Sequence, residues 1–250
     1  MKKSFSKISF MKQNILIAFI ASVVLVSCGE VFGKKIRGNG NIKTESRSSG
    51  EFNGVDVSGA IDLYIKQDSL RAISIETDEN LLAHIEFIND GQRLIIRPER
   101  GYQLKPSNVI KVFVSSPEFK RLDASGACDI FSENKINVAE ELQIDLSGSS
   151  DVKLELNAPK IIADLSGSCN IQLKGETKDF IVDGSGSTDI KCMDLLAENV
   201  NIEISGSGSA EVYASVKLDV DISGSGSVRY KGNAKVSQKV SGSGSVKKVE

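Results

Sequence analysis

Residues 203–228 read EISGSGSAEVYASVKLDVDISGSGSV, and a nearly identical string, VSGSGSV, returns at 240–246. Glycine and serine strings of this kind are typical of flexible linkers. Here the string recurs after a short interval with alternating apolar residues between its copies, which instead indicates a repeated structural unit. The fold therefore depends on whether that interval is regular along the chain.

The interval is regular throughout the second half of the chain. Copies of Ser-Gly-Ser or Ser-Gly-Ala begin at residues 125, 147, 166, 185, 207, 225 and 243. Between copies, stretches such as Asp151–Leu156 and Ile161–Leu165 alternate polar and apolar residues around a turn at Asn157–Lys160. Two short strands and two corners per repeat predict an all-β fold, a β-helix (β-solenoid) whose coils are about 18–22 residues long.

The glycines of these copies are predicted to be structural corners. Glycine tolerates a positive φ at a sharp corner and lets stacked backbones approach closely. The predicted corner residues are Gly126, Gly148, Gly167, Gly186, Gly208, Gly226 and Gly244.

The position after each copy is small or β-branched, which predicts that it fills the inside of the corner. Cys128 and Cys169 occupy this position and are interpreted as buried structural thiols. They lie two coils apart, about 10 Å at the usual strand spacing, which is beyond the reach of a disulfide.

The next residue in most copies is acidic or an amide, so the stacked coils should form a column of such side chains. A solvated face is one interpretation, because Lys153 and Lys191 can neutralise it. A calcium ladder through Asp129, Asp151 and Asp189 is the alternative, since Ca²⁺ accepts carboxylate oxygens. The spacing differs from that of the calcium-binding nonapeptide solenoids, in which the acid follows the glycine by two residues.

The first 27 residues are predicted to be a lipoprotein signal peptide. Four lysines, at positions 2, 3, 7 and 12, precede a 12-residue apolar run at 15–26, which is too short to span a membrane. The end of this segment, Leu25-Val26-Ser27-Cys28, resembles a bacterial lipobox, which implies that Cys28 becomes the lipidated N-terminus. Several acyl chains give stable anchoring where one gives marginal binding. Gly29 replaces the aspartate of the inner-membrane retention signal and favours the outer membrane.

The rest of the chain is divided into three segments. Residues 28–50 are rich in glycine, serine and charge, which predicts a flexible tether after the lipidated cysteine. Residues 51–124 contain strand-like runs and an Asn89-Asp90-Gly91 hairpin signal, and they are predicted to form less regular coils. Residues 125–250 form the regular repeat, so 51–250 is expected to be one continuous domain.

The first part of this domain carries a family resemblance. The order EFNGVDVSGAIDLYI (51–65), TDENLL (77–82), DGQRLII (90–96) and IKVFVSSPEFKRLDASGACDI (110–130), followed by the serine–glycine repeats, resembles the bacterial auto-transporter adhesin, head GIN domain family. The resemblance covers roughly residues 52–245. It implies a right-handed, single-stranded parallel β-helix in an extracytoplasmic setting, and it brings no catalytic or binding residues.

Composition argues against several kinds of ligand site. The formal net charge is −2, which gives no overall field for nucleic acid. Aromatic residues make up 6% of the chain and tryptophan is absent, which argues against base-stacking platforms and aromatic sugar clefts. His84 is the only histidine and there is no CxxC spacing, so neither a zinc site nor any cofactor is expected.

Three functions fit these observations. The first is a non-enzymatic, lipid-anchored surface module with an unknown protein or glycan ligand, acting in adhesion. The second is an envelope sensor or accessory protein acting through a protein partner, and the third is a polysaccharide-acting β-helix enzyme. The short turns and repeating outward columns argue against the enzyme. The region after Lys247 shows no obvious cap, which predicts that end-to-end homodimers can form.

Overall fold

The computed structural model describes residues 33–48 and 50–250. The predicted signal peptide and the lipidated Cys28 lie outside these residues. Residues Lys35–Glu250 form one compact unit, called the solenoid unit below.

The described residues form strands joined by tight corners. Several strands run through a corner without interruption, because the hydrogen-bond ladder to the next coil continues around it. The strands are β1 (Lys34–Arg37), β2 (Ile42–Arg47), β3 (Gly54–Gly59), β4 (Ile61–Gln67), β5 (Ala72–Asp78), β6 (Ile85–Asp90), β7 (Arg93–Pro98), β8 (Tyr102–Lys105), β9 (Ile110–Ser116), β10 (Arg121–Gly126), β11 (Asp129–Ser132), β12 (Ile136–Asn137), β13 (Glu141–Gly148), β14 (Asp151–Gly167), β15 (Asn170–Gly186), β16 (Asp189–Gly206), β17 (Ser209–Gly224), β18 (Ser227–Lys231), β19 (Lys235–Gly242) and β20 (Ser245–Lys248). A 3₁₀ helix at Glu79–His84 follows β5.

The regular part is a stack of parallel coils, as the sequence predicts. Strands β13 to β17 pair in parallel with their successors, and β17 pairs with β18 and β19. Equivalent residues lie opposite each other, so that Ile161 pairs with Phe180 and Phe180 with Val200. The β-solenoid prediction is therefore confirmed, and the glycine and serine strings are ordered parts of its ladder.

The interior of the solenoid unit is filled by alternate residues of each strand. One inner column runs from Ile161 through Phe180 and Val200 to Leu218, all at most 2% exposed. Each such side chain contributes about 1.5–3 kcal/mol on burial, and it lies opposite the equivalent side chains of the neighbouring coils. A coil is therefore stable only within the stack.

The N-terminal part continues the stack and closes it with antiparallel strands. β3 pairs in parallel with β10 and β4 with β11, so residues 54–67 form the coil beneath the regular repeat. β6 and β7 form the predicted hairpin, with Asp90 opposite Arg93 and Gly91 at a φ of 63°. β5 pairs antiparallel with both β9 and β2, which ends the parallel ladder.

The prediction of a flexible tether over residues 28–50 is wrong for part of that range. β2 pairs along its whole length with β5, and β1 pairs with β8. Asp78 is fully buried and accepts hydrogen bonds from the Gly40 amide at 2.6 Å and from the Ser107 amide and hydroxyl at 2.8 Å. The side chains of β2 are almost all exposed, so the strand carries no inward apolar pattern that the sequence could reveal.

The glycine predicted to form the corner is the correct one in four copies and the wrong one in three. Gly126, Gly148, Gly167 and Gly186 have φ between 90° and 108°. In the last three copies the stacked corners are Gly206, Gly224 and Gly242, not Gly208, Gly226 and Gly244. The string Ser-Gly-Ser-Gly-Ser contains two overlapping copies of the motif, and only the hydrogen-bond register distinguishes them.

With these corner glycines, the residues of the last three copies fall into columns other than the predicted ones. The acid column continues from Asp189 to Ser209, not to Glu211, and Ala210 pairs with Ile190. Gly208 takes the small inner position that Thr188 holds in the preceding coil. A Cβ atom added to Gly208 would lie 2.7 Å from the Thr188 hydroxyl. Successive corners from Gly126 onward are then 22, 19, 19, 20, 18 and 18 residues apart.

Candidate functional site

The acid column after the corners is held by hydrogen bonds between coils. The Asp151 amide donates to Asp129 Oδ1 at 3.2 Å, and the Asn170 side chain donates to Asp151 Oδ1 at 2.7 Å. Ser209 Oγ donates to Asp189 Oδ1 at 2.6 Å. Each of these carboxylates is thus partly satisfied by a neighbouring coil.

These contacts do not fit the calcium ladder considered for Asp129, Asp151 and Asp189. Asn170 separates Asp151 from Asp189, and the described residues hold no group of three or more His, Cys, Asp or Glu side chains arranged around a metal position. Burial raises the pKa of Asp129, and the nearby Asp151 charge adds to this rise.

A second acidic column, which the sequence reasoning missed, lies before the corners. It occupies the position three residues ahead of each corner glycine and faces outward. The members, in stacking order, are Asp56, Asp123, Asp145, Asp164, Asp183, Glu203 and Asp221, with Lys239 at the end. Its sequence signal is acid-x-Ser-Gly, which occurs in seven successive copies. The glycine of this signal is the corner glycine of each coil.

Arg121 joins two neighbouring members of this second column. The Arg121 guanidinium donates to Asp123 at 2.8 Å, contacts Asp145, and reaches Gln143 Oε1 at 2.8 Å. Burial raises the pKa of Asp123, although Arg121 opposes that rise. A shallow groove of about 600 Å³ follows the column, between it and the parallel row of corner serines.

Three aromatic rings form a third outward column. The register brings Tyr64 opposite Phe113 on one side and opposite Phe131 on the other. The ring centroids are 5.0 Å apart for Tyr64 and Phe113 and 5.2 Å apart for Tyr64 and Phe131, with planes inclined by 20° and 27°. All three rings are half-buried. The coils thus bring together three rings that are distant in sequence, while the expectation against aromatic ligand sites, drawn from composition, stays a prediction.

A cleft of about 480 Å³ lies beside this aromatic column and is called the aromatic cleft below. Its lining includes Tyr64, Phe131, the turn 132–134, Lys153, Glu155 and Lys174. The turn exists because β11 ends early at Ser132, where the later coils continue their strand.

The three cysteines in the described residues are free and buried, in agreement with the interpretation of Cys128 and Cys169. Burial raises the pKa of Cys192 to about 12 and that of Cys128 to about 11. These two thiols therefore stay protonated near neutral pH and pack as small apolar groups.

The single histidine supports a loop. His84 Nδ1 lies 2.7 Å from Glu99 Oε2, and its ring packs against Tyr102 with centroids 4.6 Å apart. These contacts join the end of the 3₁₀ helix to Glu99, before β8, and to the first residue of β8. This arrangement accounts for the residue structurally.

The C-terminal coil is only partly covered. In the described part of the chain β19 pairs with β17 alone and β20 with β18 alone. Val240 is 38% exposed, while the polar Gln238 occupies the inner column opposite Val220. The prediction of end-to-end dimers stays a prediction. Val240 favours such a contact, whereas Gln238 and the nearby lysines make this end of the stack polar. No helix in the described ranges is long and apolar enough to span a bilayer.

Comparison with known proteins identifies related chains. A sequence model of the family described as "Putative auto-transporter adhesin, head GIN domain" matches residues 51–234. No curated protein matches.

Solved structures share the fold. A putative adhesin from Bacteroides fragilis has a TM-score of 0.80 at 22% identity, covering 86% of this chain and 100% of its own. A putative adhesin from Parabacteroides merdae has a TM-score of 0.69 at 24% identity, covering 87% of this chain and 100% of its own. A putative lipid binding protein from Parabacteroides distasonis has a TM-score of 0.66 at 27% identity, with coverage of 87% and 100%.

Proposed function

This chain belongs to the family described as "Putative auto-transporter adhesin, head GIN domain", and from that premise we propose that it is a non-enzymatic surface-interaction protein of the outer membrane. In this proposal the solenoid unit is carried by a lipid on Cys28 and acts in adhesion. The family supports an adhesion-like role at the cell surface or envelope.

The repeated outward faces are the observation that carries the proposal. The second acidic column presents an acidic side chain on seven successive coils about 4.8 Å apart, beside a row of serines. The interior of the described coils is filled by apolar side chains, so ligands meet the solenoid unit on its surface. A long, repetitive surface is the usual means by which solenoid proteins bind partners.

The N-terminal sequence supports the anchor. A basic head and an apolar run precede Cys28, and the mature chain would carry acyl chains on that residue. Labelling cells with a fatty acid that can be tagged tests this. The wild-type chain should take up the label and remain with membranes, whereas Cys28→Ser should do neither. Ser49→Cys, in a Cys28→Ser background, is a matched control that restores a cysteine outside the lipobox.

Exposure at the cell surface is tested by protease treatment of intact cells. We expect cleavage of the solenoid unit in intact cells, with a periplasmic marker protein left whole. Protection in intact cells together with cleavage after outer-membrane permeabilisation would contradict the adhesion role. That outcome would favour an envelope protein acting through a periplasmic partner.

A further inference from the structure

We propose that the aromatic cleft binds a neutral pyranose ring of a glycan. The proposal deepens the surface-interaction function and rests on it. It concerns Tyr64 and Phe131, Glu155 and the turn 132–134, none of which was assigned a role from the sequence, and Lys153, which the sequence placed only as a neutralising charge.

The aromatic column offers apolar ring surface at a position where solvent reaches it. Tyr64 and Phe131 are half-buried on the outward side of the sheet, while other phenylalanines such as Phe52, Phe119 and Phe180 are at most 2% exposed. Tyr64 is stacked between Phe113 and Phe131, so its faces are directed at these rings and its edge lines the cleft together with Phe131. The carbon–hydrogen face of a pyranose can pack on such an apolar surface through dispersion.

The wall of the cleft is fixed before any ligand binds. Asn134 accepts a hydrogen bond from the Gln67 amide and donates to the Gln67 carbonyl, both at 2.9 Å. The Glu133 amide donates to the Ile65 carbonyl at 2.8 Å, and Ser132 Oγ accepts from the Glu155 amide at 2.9 Å. A wall tied down in this way loses little conformational entropy on binding. The volume of about 480 Å³ lies within the ~300–1,000 Å³ of typical ligand pockets.

The polar groups of the cleft point to a polyhydroxyl ligand without net charge. Lys174 forms an ion pair with Glu155 at 2.7 Å, whereas Lys153 makes no ion pair with the described residues. Glu133 is exposed on the turn. Ammonium donors and carboxylate acceptors together match sugar hydroxyls, which both donate and accept. Two ammonium groups and two carboxylates line the cleft, so it offers no excess of positive charge to an anion, and an apolar peptide would bury Lys153 without a partner.

The test uses the full-length chain purified in a detergent without a sugar headgroup. The probe is a panel of immobilised neutral oligosaccharides of glucose, galactose, mannose and N-acetylhexosamines, about three to six sugar units long. We expect retention on at least one of them, followed by measurement of its dissociation constant by calorimetry. Tyr64→Ser with Phe131→Ser should weaken binding at least tenfold, and Lys153→Gln, which leaves the stack intact, about threefold.

Tyr213→Ser is the control, since it removes another half-buried aromatic ring far along the repeat and should leave affinity unchanged. Thermal melts establish that each variant is folded. The proposal is overturned if no oligosaccharide of the panel retains the wild-type chain, or if neither cleft variant weakens binding while folded. Since the assay uses purified protein, a negative result here leaves the protease test of surface exposure independent.

Discussion

A Cβ atom on Gly148 would lie 2.5 Å from the carbonyl oxygen of Gly126, its neighbour in the coil below. The same relationship recurs at each stacked corner, where the next serine amide also donates to that carbonyl, as Ser149 does at 2.7 Å. The corner thus requires glycine for two reasons, a positive φ and the absence of a side chain.

Gly148→Ala should therefore destabilise the solenoid unit by about 3 kcal/mol, from backbone strain and overpacking together. Gly91 is the matched control, because it has a φ of 63° but no atom within 4 Å of the position that a Cβ would take. Gly91→Ala should cost only about 1 kcal/mol. Urea unfolding measures both, and equal losses would show that close approach contributes nothing.

Gly184 and Thr188 should be energetically coupled. A Cβ on Gly184 would lie 2.6 Å from Thr188 Oγ1 but 3.5 Å from Thr188 Cβ, so alanine at 188 removes the clash. Gly184→Ala alone should cost about 1–3 kcal/mol, and Thr188→Ala should recover at least about 1 kcal/mol of it. Ser150→Ala, at the equivalent position two coils away, is the control and should give additive losses. Additivity in the Gly184–Thr188 pair would contradict the packing.

Asp78→Ala should loosen the antiparallel closure at the N-terminal end. The substitution leaves the Gly40 amide and both Ser107 donors without their acceptor, at a cost of about 2–4 kcal/mol. Amide exchange should speed up in residues 42–47 more than in residues 142–165. Unchanged protection of β2 would mean that pairing with β5 alone holds this strand.

Stability should rise as the pH falls from 7 toward about 4. Burial raises the pKa of Asp56, Asp62, Asp123 and Asp129, so these groups lower stability above their folded pKa values and stop doing so as they protonate. Burial acts the same way on Asp78, but hydrogen bonds from Ser107 and Gly40 hold its pKa below the usual 3.8. Its contribution is lost only at still lower pH.

Melting temperatures at about pH 7, 5.5, 4.5 and 3 test this dependence. Asp56→Asn should flatten the rise between pH 7 and 4.5, because Asp56 is half-buried beside Asp123. Asp164→Asn, at an exposed position of the same column, is the control and should change the slope less. A melting temperature that falls steadily from pH 7 would contradict the effect of burial on these carboxylates.

The thiols of Cys128, Cys169 and Cys192 should resist alkylation in the native protein. All three are buried, and the pKa of Cys192 is raised to about 12. Iodoacetamide at about pH 8 should label none of them until denaturant is added, and then all three. Rapid native labelling at Cys192 would contradict the register of β16.

The sequence by itself determined the architecture. The repeat interval, the alternation within stretches such as Asp151–Leu156 and the small residues at 128 and 169 specify stacked coils, because these signals are local and recur in every coil. The hairpin at Asp90-Gly91 was predictable because its turn signal is also local. The acid-x-Ser-Gly signal is equally local, so the second acidic column was also predictable from the sequence.

The tertiary structure alone decided which glycines form the last three corners, where β2 pairs and which aromatic rings stack. Gly206 and Gly208 stand in the same local string, and only the backbone pairing between neighbouring coils selects Gly206. Tyr64, Phe113 and Phe131 are far apart in sequence, and they meet because β4 is paired on one side with β9 and on the other with β11. Hydrogen bonds between distant segments set these relationships, and no pattern confined to one coil encodes them.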